Sequence, residues 1–445
     1  MDSSVSAYTL TPLQSMSILF TALAIMQYIN QRFLKWPMVL AMSIMGSILA
    51  ILLVLMGKLG ILDIQMVEAY LRGYDFENLV LHGLLAPLLF AGAMFVNVGN
   101  LKQWWKPIAA LASVGVFVSA FITATFVYYI AQAFYMFGLI PTELGFLWCL
   151  LFGSLIAATD PIAALAIVKK AGAPKQMETK LVGESLFNDA TSVMMFLVVY
   201  GILKTGDLSA HTLAYEVLVA PFGAALLGVG MGYGATFLIG RVDHHPTEIL
   251  ITVALATGVY GFAELLHLSA PIAVVAAGLV IGHKARKMAM TEKTREHLDT
   301  FWECMDELLN ALLFGLVGLE LLLIDLPPII MAMGVLVWLA VLVGRWGGVF
   351  GSLMPMRRHG GFGKGTMKVM VWGGLRGAIS LALAMSLPPG PESSILVALA
   401  FIVVALSGSV QGLTLSKIIP RQAQEDAKDT MCEGMNDERE SSAKN

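Results

Sequence analysis

A chain of 445 residues that is 57% hydrophobic and only 13% charged, with a mean hydropathy of +0.77, has too little polar surface to cover a globule in water, where about 25% charge is usual. That composition makes the chain an all-α polytopic membrane protein; a transmembrane β-barrel would alternate polar and apolar residues in segments of about ten. A net charge of −3 points to no nucleic-acid partner, and Cys149, Cys304 and Cys432 are too scattered for a metal centre or a disulfide framework.

The first fourteen residues hold no Lys or Arg, so they lack the charged start of a cleaved signal peptide, and the first span is expected to persist. Apolar runs near the bilayer-crossing length of about 20 residues predict spans at 13–31, 37–56, 78–99, 107–131, 143–168, 182–203, 213–239, 247–266, 268–283, 304–324, 328–353, 369–388 and 394–418. The segment 57–77 mixes charged and apolar residues like an interfacial helix, and 285–303 reads as a charged cytoplasmic connection. The chain therefore divides into a transmembrane domain, 1–419, and a short polar tail, 420–445, expected to be disordered because it has little to bury.

With the N-terminus outside, the inner loops collect nearly every basic residue, and only Lys58, Arg72 and Lys204 fall in outer loops. The bias obeys the positive-inside rule, supports an odd number of spans, and puts the C-terminus in the cytoplasm of a cell whose inner membrane holds the chain. Thirteen spans divide as six, one and six. The odd linker makes the halves enter from opposite sides, the inverted repeat of secondary transporters, in which paired broken helices mark the site.

Span five contains "ATDPIA". Pro161 lacks an N–H and pushes Asp160 out of the helical region, so Thr159 and Asp160 are expected at an unwound point. Asp160 lies too deep to snorkel, and irregular backbone at this depth must be buried or line a wet cavity. Span six contains "GESLFNDATS". Glu184 and Asn188 are four apart, as are Ser185 and Asp189, and Ser192 extends the second stripe. Hydroxyls and an amide can serve as glue between helices, but two carboxylates imply a partner or a wet path. Span twelve contains "WGGLRGAIS", where Gly373, Gly374 and Gly377 surround Arg376. Glycine permits unwinding and close crossing. Five plus seven is twelve, so the two weak spans are equivalent in the repeat.

Arg376 is a fixed cation and a poor proton carrier. By charge alone it can neutralise Glu184 or Asp160. A remaining carboxylate is then free to alternate between a proton and a hard monovalent cation, which wants the oxygens of carboxylate, hydroxyl and carbonyl. Competition for those oxygens, with side-switching only in the loaded states, gives coupled antiport. The chain is not expected to be an enzyme: no nucleophile is required, and no nucleotide-binding loop is present to power a pump. No cofactor is implied beyond the transported ions. K⁺, Li⁺ or NH₄⁺ would use the same oxygens, and a passive channel is the rival of a different class.

"ATDPIA", "GESLFND" and "GGLRGAISLALA" resemble signature segments of the monovalent cation/proton antiporter-1 family, the NhaP/NHE-type Na⁺/H⁺ antiporters. "SAPIAVVAAGLVIG", "NALLFGLVGLE" and "VQGLTL" are similar to further family segments, in family order, from about residue 80 to 415. The resemblance implies a homodimer in the membrane, each protomer having a core domain that moves against a dimerisation domain. It implies Asp189 as the exchanging carboxylate, with Asp160, Thr159 and Ser185 completing a Na⁺ site. Asn188 stands where electrogenic relatives have a second Asp, which implies electroneutral one-for-one exchange. Glu184 and Arg376 are implied as a structural ion pair. The sequence departs from the family at Ala91, in "PLLFAGAM", where a Glu is common. Glu320 and Arg345 are further deep charges expected to pair or stabilise the core, and His82, His244, His245 and His283 are surface histidines able to tune a pH response.

Overall fold

The computed structural model describes residues 12–36, 38–61, 79–96, 98–160, 164–165, 167–168, 175–206, 215–286, 289–319, 326–354 and 364–419. Among these every regular element is helical, as lipid demands of a backbone that must satisfy its own N–H and C=O groups. Helices occupy each of the thirteen expected spans. They run Pro12–Ile29, Met38–Lys58, Leu79–Met94, Trp105–Met136, Phe146–Ala157, Lys175–Thr205, Ala220–Ile239, His245–Leu265, Ala270–Ala285, Glu292–Leu319, Pro328–Leu353, the pair Lys364–Trp372 and Ala378–Met385, and Pro391–Ile419.

Seven of these helices are long and apolar enough to cross a bilayer unaided, namely the second, fourth, sixth, seventh, eighth, eleventh and last; the third, fifth and ninth are apolar but shorter. The eighth and ninth stay separate because His267 turns left-handed at φ 53°, the Leu268 N–H donates to Ala263 O at 2.8 Å, and Pro271 opens the next helix.

The largest boundary shift from the sequence reading is at the start of the tenth span. Most of 285–303 is not a loop: the tenth span begins at Glu292. Thr291 Oγ1 accepts the Thr294 N–H at 3.3 Å and caps the helix. Leu298 and Trp302, four apart, then give it a buried face among charges, while Asp299 pairs with Arg286. The interfacial helix expected at 57–77 lies, from residue 62 onward, outside the described residues, as do the tail 420–445 and Glu320.

The apolar interior forms two clusters. The larger gathers the fourth, fifth, sixth, eleventh, twelfth and last spans with parts of the first three and the second half of the tenth. The smaller gathers the third, seventh, eighth and ninth spans with the first half of the tenth. The sixth span serves both. Leu181, Met195, Phe196 and Val199 belong to the larger cluster; Leu186 belongs to the smaller, with Val182 and Phe187 packed against it. At about 100° per residue, Glu184, Asn188 and Ser192 share the angular sector of the first set. Asp189 falls at its edge, next to Val182 and Leu186, so the helix register alone aims that carboxylate at the seam between the clusters.

Candidate functional site

Two interrupted helices cross beside the sixth span. The first half of span five ends at Ala157, and Ala158 leaves the helix at ψ 136°. Residues 158–160 are irregular, and helix resumes by Ala164. Span twelve breaks between Trp372 and Ala378. The breaks meet: the Asp160 N–H donates to Leu375 O at 2.7 Å. A Cβ on Gly377 would stand 3.0 Å from the Asp160 Cβ, and one on Gly374 would stand 2.7 Å from Arg345 Nε. Only glycine lets these groups approach so closely.

Arg376 does not form the expected structural pair with Glu184. Its Nη1 donates to Ala157 O at 2.6 Å and to Ala158 O at 3.2 Å, a cation set against the carbonyl end of an interrupted helix. Its backbone N–H donates to Ser407 Oγ at 3.0 Å, in a π-helical turn of the last span. The partner of Glu184 is Arg345, on span eleven. Nη1 and Nη2 bind Oε1 and Oε2 at 2.7 and 2.8 Å, a bidentate fork with Glu184 wholly buried. Arg345 also donates to Met370 O from Nε and Nη2, at 3.3 and 3.1 Å. Both arginines lie in the middle of spans, so residue spacing could not choose between them. The choice is made by the break in span five, whose freed carbonyls claim Arg376. The sequence did offer a sign of Arg345: a deep cation flanked by Gly344, Gly347 and Gly348.

The remaining polar groups converge as expected. Thr159 Oγ1 and Ser185 Oγ lie 3.0 Å apart. Asn188 Nδ2 donates to Glu184 Oε1 at 3.1 Å, Thr159 Oγ1 at 3.0 Å and Ala157 O at 3.2 Å. Ser192 Oγ donates to Asn188 Oδ1 at 3.1 Å and so fixes which way the amide points. Thr159, Asp160, Glu184, Ser185, Asn188, Asp189, Ser192 and Arg376 are all buried. Among the described residues Asp189 Oδ1 is a buried oxygen with no hydrogen-bond partner. Asp160 and Glu184 repel its charge and Arg376 attracts it. Carboxylates and hydroxyls gathered at one buried point suit a hard monovalent cation or a proton.

Ala91 is fully buried, next to a Phe90 ring that lies 4.9 Å from the Trp302 ring, so this position is part of an apolar contact. His244 and His245 are exposed near His297, whose ring stacks on His245 at 4.5 Å.

The comparisons agree with one another. A family described as sodium/hydrogen exchanger, transmembrane, matches residues 18–420. The Na⁺/H⁺ antiporter NhaP of Pseudomonas aeruginosa is 40% identical over 404 residues, 89% of this chain and 94% of its own length. The Na⁺/H⁺ antiporter NhaH of Halobacillus dabanensis is 32% identical over 417 residues, covering 91% and 96%. In three dimensions the fold is that of the sodium proton antiporter MjNhaP1 from Methanocaldococcus jannaschii, with a TM-score of 0.72 at 19% identity over 92% of this chain and 99% of that one. A multi-pass helical chain with two crossed, interrupted spans, matched along nearly its whole length, belongs to the sodium/hydrogen exchanger family.

Proposed function

We propose that this chain exchanges Na⁺ for H⁺ across the membrane, one for one and without net charge movement, and that Asp189 is the carboxylate on which the two ions compete. The observation that carries the reading is Asp189 Oδ1, buried and without a hydrogen-bond partner among the described residues, beside Thr159, Ser185 and Asp160. Three deep acids, Asp160, Glu184 and Asp189, face two deep arginines, Arg345 and Arg376. Among these five groups one negative charge is left over, while Lys180, also buried on span six, is set against the Trp104 ring. A single proton or a single monovalent cation cancels it, and a buried site crosses the low-dielectric layer far more easily when neutral. Thr159, Ser185 and Asp160 supply further oxygens for Na⁺, and Asn188, which holds Thr159 Oγ1, carries no exchangeable charge of its own.

Alternating access follows if the body that holds the site shifts along the seam at span six, exposing Asp189 to one side and then the other. The protein works as a homodimer with its N-terminus outside and its C-terminus in the cytoplasm, serving sodium and pH homeostasis. The test uses everted vesicles carrying an imposed ΔpH. Na⁺ should dissipate the gradient with no change in a potential-sensitive dye. Dissipation by K⁺ and not by Na⁺ would move the assignment to K⁺/H⁺ exchange, and a potential that tracks turnover would overturn the one-for-one ratio.

A further inference from the structure

The first half of the tenth span is rich in acids, and most of them are accounted for. Glu292, Glu296, Glu303 and Glu307 are exposed, and Asp299 pairs with Arg286. Asp306 is different. It sits four residues after Trp302, in the angular sector of the buried residues Leu298, Trp302, Leu309 and Leu313. The residue is half-buried, and its Oδ1 is a buried atom with no hydrogen-bond partner among the described residues. Met305, beside it, packs against both apolar clusters, which places Asp306 at the seam.

Three observations connect this acid to the exchange site. Asp160 lies near enough for its charge to act on the Asp306 carboxylate, as does that of the adjacent Glu307, while the Asn310 side chain one turn on offers it a hydrogen bond. The tenth span packs against the second half of span twelve, whose leading Gly377 abuts Asp160. That same half-span carries Ser380, a fully buried residue whose Oγ also lacks a partner among the described residues. A half-buried carboxylate near a deeper one lowers the potential along the approach, and it can hold a cation weakly enough to release it.

We propose that Asp306 is a relay site for the transported cation, receiving it on the side where the tenth span begins and passing it to Asp160 and Asp189. The relay loads the site but does not carry ions across, so its loss weakens capture and leaves the carrier's own motion intact. The inference rests on Asp160 and Asp189 forming the exchange site. In vesicles, Asp306→Asn should raise the apparent KM for Na⁺ about threefold to tenfold, the scale of one screened charge contact. The maximal rate and the thermal unfolding temperature should stay near wild type, and Asp306→Glu should restore KM. An unchanged KM in a folded Asp306→Asn protein overturns the relay. So does a loss of rate and stability that Asp306→Glu shares, since that marks a packing role. Asp189→Asn, assayed in parallel, separates the two readings: if it exchanges normally the site assignment itself has failed.

Discussion

Glu184 and Asp189 sit on one helix, barely more than a turn apart, both buried to within a few per cent, yet their surroundings are opposite. Glu184 receives a bidentate arginine fork and an amide. Asp189 keeps an oxygen with no partner among the described residues. On the proposed reading, the contrast separates a carboxylate that holds spans together from one that handles cargo. A fully compensated charge has no reason to bind a passing ion, and an under-compensated one is stable only if something mobile neutralises it.

The sharpest way to break this contrast is to remove the working acid. Asp189→Asn keeps size and polarity but cannot carry the exchanged charge, so Na⁺-driven proton flux should fall to background, while the unfolding temperature stays within a few degrees of wild type. Flux near wild-type level would sink the assignment. The next largest effect belongs to the clamp. Arg345→Ala leaves Glu184 buried and unpaired, which should cost about 3–5 kcal/mol of stability and show as a clear drop in detergent-solubilised melting temperature. Replacing Glu184 and Arg345 together with Gln and Met should recover much of that loss; no recovery in the double variant would show that the pair is not the source. The smallest effect is expected at Ser192→Ala. Losing its bond to Asn188 Oδ1 frees the amide to turn, which should raise the apparent KM for Na⁺ by roughly twofold to fivefold, in line with one neutral hydrogen bond. An unchanged KM would show that other contacts hold the amide.

Most of the fold was legible because lipid leaves so few options. Apolar length located thirteen spans, and Pro161 and the glycines around Arg376 located the two breaks. The start of the tenth span was not legible as a membrane-scale signal: its apolar residues Leu298 and Trp302 are diluted by Glu and Lys, and only a period near 3.6 betrays them. In the site, the spacing 184, 185, 188, 189, 192 gave the stripe directly. The pairing of acids with arginines did not follow, because it depends on which helices touch. Arg345 is 161 residues from Glu184, and Arg376 is 219 from Ala157. Family resemblance supplied a pair, and the carbonyls freed at Ala157 and Ala158 redirected it.

Those two separations bear on how the protein is made. Spans five and six leave the ribosome with their acids long before either arginine exists. At about 5–20 residues per second, Glu184 waits roughly 8–32 seconds for Arg345, and Ala157 waits roughly 11–44 seconds for Arg376. During that interval the buried acid of span six and the freed carbonyls of span five lack the partners they hold in the finished fold, and the last third of the chain is what supplies them.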